Sequence, residues 1–130
     1  MPAIHLTHGA FEKVTQRPGI VLLDFWAPWC APCRAFAPIF ESTSEKHPDI
    51  TFAKVNTEDE QQLAAEWGIQ SIPTVMAFKD GVPVFEQPGM LPGHVLEKLV
   101  GQLRALDMEQ VRGELRRREQ QGNAAPEGRS

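Results

Sequence analysis

The sequence predicts an α/β fold: a central mixed five-stranded sheet flanked by helices, followed by a short C-terminal helical tail. Three observations lead there. Five short apolar runs alternate with helical patterns in the order β-α-β-α-β-α-β-β-α. Such alternation predicts parallel strand neighbours. Asp80-Gly81, set between the last two runs, is a hairpin signal that adds an antiparallel edge. The chain has 130 residues and is 42% hydrophobic, enough for one domain with its own core.

Ile4-His5-Leu6 is a short first strand. Thr7 is placed to cap a helix in which Ala10, Phe11 and Val14 recur at helical spacing, and Pro18-Gly19 stops it. Ile20 to Trp26 is apolar on both faces apart from Asp24, as in a strand covered on both sides. A helix runs from about Pro32 to Lys46, with Phe36, Ile39 and Phe40 on one face, and His47-Pro48 ends it. Pro38 inside it removes a hydrogen bond and predicts a kink. Thr51 to Val55 is the third strand. Glu60 to Trp67 is a helix with Leu63, Ala64 and Trp67 inward and Gly68 as its stop. Thr74–Phe78 and Val82–Phe85 form the hairpin, and Pro83 requires the second of these to lie at an edge. Gly93 to Leu106 is the last helix of the domain, with Val95, Leu96, Leu99, Val100 and Leu103 inward.

Residues 1–106 are therefore read as the domain and residues 107–130 as a tail. Asp107-Met108-Glu109-Gln110 has the form of a capping box, and Met108, Val111 and Leu115 make a thin apolar stripe. Five acids and five bases balance in the tail, so Arg116-Arg117-Arg118 is not a basic arm. Gly122 to Ser130 is polar and rich in small residues and is read as disordered. The formal charge of −4 argues against nucleic acid as a partner, and no stretch reaches the length of a membrane span. Met1 to His8 lacks a basic region followed by an apolar one, so the expected location is the cytoplasm.

The chemistry lies in Trp29-Cys30-Ala31-Pro32-Cys33, directly after the second strand, which holds the only two cysteines. A strand that ends in Cys-x-x-Cys and leads into a helix brings two thiols within bonding distance. It also sets the first at a helix N-terminus, whose dipoles favour a thiolate. Cys30 then attacks a disulfide, and Cys33, one turn further in and more buried, resolves the mixed disulfide. A loop this short staples a fold weakly. Zinc needs four ligands, and His5, His8, His47 and His94 have no matching spacing to the pair, which leaves only a site bridging two chains. Pro32 suits the first helical position, and Trp29 offers a flat cover beside the sulfur.

Asp24 is an acid in an apolar strand, on the same face as Leu22 and Trp26. Burial raises its pKa toward neutrality, where a carboxyl exchanges a proton with Cys33. A buried Asp bonded to local backbone fits the same pattern, and the pattern leaves both readings open. Lys54 on the third strand is its candidate counter-charge.

The segment Asp24 to Arg34 resembles the active-site segment of the thioredoxin family. Phe36-Ala37-Pro38 matches the family's kinked helix, Gly68-Ile69 and Ser71-Ile72-Pro73-Thr74 its substrate loop, Phe78-Lys79-Asp80-Gly81 its hairpin, and Gly89 the glycine after the last strand. The likeness spans roughly residues 5–106. Phe36 to Glu41 and Lys54 to Glu58 look most like the second bacterial thioredoxin branch, whose N-terminal four-cysteine zinc module has no counterpart here. No metal is carried over.

The resemblance implies a thioredoxin fold and a protein-disulfide reductase with no bound cofactor. Its electrons come from NADPH through a thioredoxin reductase, its substrates are oxidised proteins, and it works as a monomer. It assigns Cys30 as nucleophile, Cys33 as resolving thiol, Asp24 as buried acid/base and Lys54 as its modulator. It implies a cis Ile72-Pro73 bond, with Trp29, Ala31, Pro32, Ile72, Pro73, Gly89 and Met90 around the substrate groove. Two departures stand out. Ala31 replaces the usual glycine, where residues tune redox poise, and Met90 replaces a small residue. The competing readings are a disulfide oxidase or isomerase, and a binding module or co-chaperone whose tail docks a partner.

Overall fold

A computed structural model describes residues 3–124. The elements are β1 (Ile4–His5), α1 (His8–Thr15), β2 (Ile20–Trp26), α2 (Ala31–Lys46), β3 (Thr51–Asn56), α3 (Gln61–Glu66), β4 (Thr74–Lys79), β5 (Val82–Pro88), α4 (Gly93–Ala105) and α5 (Met108–Ala124). They form one five-stranded sheet in the order β1-β3-β2-β4-β5.

β3 runs parallel to β1 and β2, as alternation predicts. β4 does not: it runs antiparallel to β2, and β5 antiparallel to β4. The reason is the length of the connection. α3 has six residues, about 9 Å of helix, against about 20 Å for the six residues of β3. A helix that short does not carry the chain back to the start of the sheet, so β4 begins near the end where β3 finishes.

The sheet separates two apolar layers, and strand alternation decides which residue enters which. Leu22 of β2, Phe52 of β3, and Val75 and Ala77 of β4 join Phe36 and Phe40 of α2 and Leu96, Leu99 and Leu103 of α4. Leu23, Phe25, Val55, Met76 and Phe78 face Phe11 and Val14 of α1 and Leu63 of α3. β2 is buried along nearly its whole length, as expected of a strand covered on both faces.

Several local expectations are refined. Thr7 stands at the start of α1, but its side chain makes no capping bond. α2 begins one residue early, at Ala31, so Pro32 takes the second helical position, where the backbone N–H would still lack a helical partner. Trp67 lies just past α3 rather than within it, its ring 5.6 Å from Phe11 and 5.5 Å from Phe78. β5 continues beyond Phe85 to Pro88. Asp80 and Gly81 both have positive φ, the backbone of a tight two-residue hairpin. Pro83 lies on the edge strand next to a register shift, so no ladder bond is asked of its missing N–H.

In the tail, Asp107 Oδ1 accepts from the backbone N–H groups of Glu109 and Gln110 at 3.1 and 3.3 Å, which caps α5. Met108 is buried, Val111 half-buried and Leu115 exposed. α5 takes in Gly122–Ala124, which the composition reads as disordered. The rest of that stretch, residues 125–130, lies outside the described residues. No described helix is long and apolar enough to cross a membrane.

Candidate functional site

β2 ends at Trp26, and the chain turns through Ala27-Pro28-Trp29 into α2. Cys30 is the N-cap residue of that helix. Its backbone is extended, and its sulfur accepts from the Cys33 N–H at 3.2 Å. The sulfur therefore takes one of the orphan donors of the first turn, and the same donors and the helix dipole stabilise negative charge on it once reduced. Cys30 and Cys33 are joined by a disulfide, with their Cα atoms 5.2 Å apart. Cys30 is 5% exposed and Cys33 2%, so Cys33 is the deeper of the two. Ala31 and Pro32 between them face solvent.

Opposite the pair is the loop before β4. Ile72-Pro73 is cis, and the Ile72 carbonyl oxygen lies 3.7 Å from Cys30 Sγ. Ile72 packs on the cluster made by Ala27, Cys30 and Cys33. The Pro73 carbonyl accepts from the Gly89 N–H at 2.7 Å. Gly89 has φ +96°, a conformation that glycine adopts without strain. That bond ties the Gly89-Met90 segment to the Pro73 loop, and Met90 beyond it is 38% exposed.

On the other flank Trp29 is 66% exposed. Its indole N–H donates to Glu58 Oε2 at 2.7 Å. Sequence reasoning leaves Glu58 without a role. The signal that finds it is strand register: Trp26 pairs with Asn56, so the residues just past β3 lie beside those just past β2. Arg34 Nη1 donates to the Pro28 carbonyl at 2.9 Å and braces the same turn.

Behind the pair Asp24 is fully buried, on the sheet face that α2 covers. Neither of its carboxylate oxygens has a hydrogen-bond partner, so it is not an Asp bonded to local backbone. Burial pushes its pKa up to about 7, with the Lys54 ammonium pulling the other way. Lys54 is its register neighbour on β3 but forms no ion pair with it. The ammonium stands over the Trp26 ring, 4.8 Å from the centroid.

The four histidines stay apart from the sulfurs. His8 meets Glu66 at 3.2 Å, and His47 meets Glu97 at 2.7 Å. His5 packs against Trp26, and His94 is exposed on α4. Among the described residues no group of three or more His, Cys, Asp or Glu side chains is placed to hold a metal ion.

The arrangement holds a two-electron dithiol/disulfide couple with one sulfur at a helix N-cap, a second within the first turn, and a buried carboxyl on the sheet face that the same helix covers. Comparison with known proteins agrees. A family model described as Thioredoxin matches residues 2–102. A putative thioredoxin 2 of Streptomyces coelicolor is 46% identical over 109 residues, covering 84% of this chain and 81% of that protein. A thioredoxin of Bacillus subtilis is 37% identical over 101 residues, covering 77% of this chain and 96% of its own. Among solved structures, a mutant thioredoxin from Halobacterium salinarum superposes with a TM-score of 0.75 at 30% identity, covering 82% of this chain and 94% of that one.

Proposed function

The chain belongs to the thioredoxin family, and we propose that it reduces protein disulfides in the direction set by the unequal placement of its two cysteines at the start of α2. The activity itself, thiol-disulfide exchange of the thioredoxin type, follows from the family and from the Cys30–Cys33 pair. The direction is supported by one observation: Cys30 is the helix N-cap and the slightly more exposed residue, while Cys33 lies within the first turn of α2.

In the reduced protein the Cys30 thiolate attacks one sulfur of a substrate disulfide. The substrate S–S bond breaks, one substrate sulfur leaves as a thiol, and Cys30 holds the other as a mixed disulfide. Asp24 takes the proton from Cys33. The Cys33 thiolate then attacks Cys30 Sγ, the second substrate sulfur leaves and is protonated, and the Cys30–Cys33 disulfide forms. Two electrons have passed to the substrate. A carboxyl with a pKa near 7 is matched to that proton transfer at neutral pH, and Lys54 modulates it.

The substrate lies against Trp29, Ala31, Pro32, Ile72, Pro73, Gly89 and Met90, pairing as an extended segment with the Ile72 backbone. The Ile72 carbonyl facing Cys30 Sγ at 3.7 Å supports this, as does the bond tying Gly89 to Pro73. The protein needs no bound cofactor. NADPH supplies the electrons through a thioredoxin reductase, the partners are that reductase and oxidised proteins, and the working location is the reducing cytoplasm, where such a dithiol stays open.

The test mixes the protein with a bacterial thioredoxin reductase, NADPH and insulin. NADPH oxidation coupled to insulin reduction is expected, and no turnover with any cognate reductase overturns the reading. Cys33→Ser should accumulate mixed disulfides on Cys30, and Cys30→Ser almost none. Equal trapping by the two variants overturns the assigned direction.

A further inference from the structure

Asp24 and Lys54 are side-by-side partners on the parallel β2–β3 pair, on the face covered by α2. Asp24 is fully buried, and Lys54 is 7% exposed. A buried acid beside a buried base ordinarily pairs with it, because each unpaired charge is costly in a dry interior. These two do not pair. Both Asp24 oxygens lack a partner, and Lys54 forms no ion pair among the described residues.

What Lys54 has instead is Trp26. This residue follows Asp24 at the i+2 position of β2, on the same face. The Lys54 ammonium stands 4.8 Å from its ring centroid, within cation–π range. The ring is held by packing against Ala27, Cys30 and Cys33, with His5 of β1 beyond it at 6.4 Å between centroids. The indole N–H has no partner, so no hydrogen bond sets the ring's orientation.

We propose that Trp26 is a positioning residue for the proton chemistry of the site: its face holds the Lys54 ammonium near the Asp24 carboxyl but out of ion-pair contact with it. At that stand-off the ammonium still favours the carboxylate through its field. It does not lock the carboxylate into a pair, and the carboxyl remains able to hold a proton. The inference rests on the reading of Asp24 as acid/base given above.

The charged groups around the two residues fit this balance. His5, Asp59 and Glu60 line a hollow of about 310 Å³ beside Lys54 and Trp26. On the other side of Asp24, its β4 neighbour Val75 is apolar. The buried α2 residues over the face, Phe36 and Phe40, carry no charge, and Cys33 is in the disulfide. Among the described residues Lys54 is thus the one cation next to Asp24, and the indole is what keeps it from closing.

The experiment is a carbon-13 NMR titration of the Asp24 carboxyl in the full chain. Trp26→Leu and Trp26→Phe are each made with Lys54 present and in a Lys54→Met background. With Lys54 present, Trp26→Leu should lower the titration midpoint by about one pH unit or more, as the released ammonium closes on the carboxylate. Trp26→Phe, which keeps an aromatic face, should stay within about 0.3 pH unit of the parent. With Lys54→Met, the Leu and Phe variants should coincide.

Two results overturn the proposal: Leu and Phe behaving alike with Lys54 present, or an undiminished drop for Leu without Lys54, which would mean that water entry moved the midpoint. If Trp26→Leu does not fold, Trp26→Met takes its place as the variant without a ring. Failure of the underlying reading is visible separately. An Asp24→Asn variant with an unchanged pH dependence of disulfide reduction removes the acid/base role, while the midpoints still decide where Trp26 holds Lys54.

Discussion

The indole N–H of Trp29 donates to a carboxylate oxygen of Glu58 at 2.7 Å, joining the turn after β2 to the turn after β3. Trp29 is otherwise mostly in solvent, so this bond is what orients its ring beside Cys30. Glu58→Ala frees the ring to rotate. We expect KM for insulin to rise roughly three- to tenfold with the maximal rate little changed, as follows from losing one solvent-exposed hydrogen bond of about 1 kcal/mol. Steady-state kinetics check it; an unchanged KM would show that Trp29 orientation does not matter for substrate.

Asp24 predicts a pH dependence of stability. Its folded pKa is raised to about 7 from 3.8, with burial the larger cause and Lys54 opposing it. Between these values the folded chain keeps a proton that the unfolded chain has lost, so stability falls as pH rises from about 4 through 7. Asp24→Asn removes the penalty. Relative to the parent it should gain roughly 2–4 kcal/mol at pH 8 and almost nothing at pH 4, measured by urea unfolding. A gain of equal size at both pH values would show that burial of charge is not the cause.

Lys79, the last residue of β4, sends its ammonium to three backbone carbonyls: Leu103 at 2.7 Å, Arg104 at 3.1 Å and Leu106 at 3.0 Å. It thereby closes the C-terminus of α4, where the orphan carbonyls and the helix dipole both favour a cation. Lys79→Met should cost about 1–3 kcal/mol and speed amide exchange through the first turn of α5, with insulin reduction preserved. Denaturant unfolding and hydrogen exchange test the two halves. Unaltered exchange at the start of α5 would mean that the junction is held by something else.

Deleting residues 107–130 should leave reductase activity within about twofold, a change of under 0.5 kcal/mol. α5 packs beside Pro83, Val84 and Leu106, and Arg112 Nη2 reaches the Asp80 carbonyl at 3.4 Å. Asp80, Pro83 and Val84 lie at the β4–β5 hairpin, where Lys79 pairs with Ile20 at the start of β2. The dithiol follows the other end of β2, about 20 Å away along the strand. A large loss of activity on deletion would place the tail in the catalytic cycle.

Much of the site was legible because its elements are local. Cys30, Pro32 and Cys33 are close in sequence, so a strand-to-helix junction alone sets the first sulfur at an N-cap. Asp24 stands out because a strand apolar on both faces leaves an acid nowhere to go but inward. Glu58 was not legible, since an exposed acid after a strand acquires meaning only from the register that puts it beside Trp29. The antiparallel direction of β4 is not legible in the alternation, which counts elements and not their lengths.

The amino-acid order by itself determined which segments become strands and helices, where the dithiol falls among them, and which residue is the buried acid. Those outcomes depend on spacing along the chain, through helical and strand periodicity and the chemistry of caps and turns. Only the tertiary structure decided what stands next to what. It brought the Ile72 carbonyl to Cys30, tied Gly89 to Pro73, and set Lys54 beside Asp24 yet over Trp26. Each of these contacts joins residues far apart in sequence, and its distance depends on strand order, register and packing that no single segment contains.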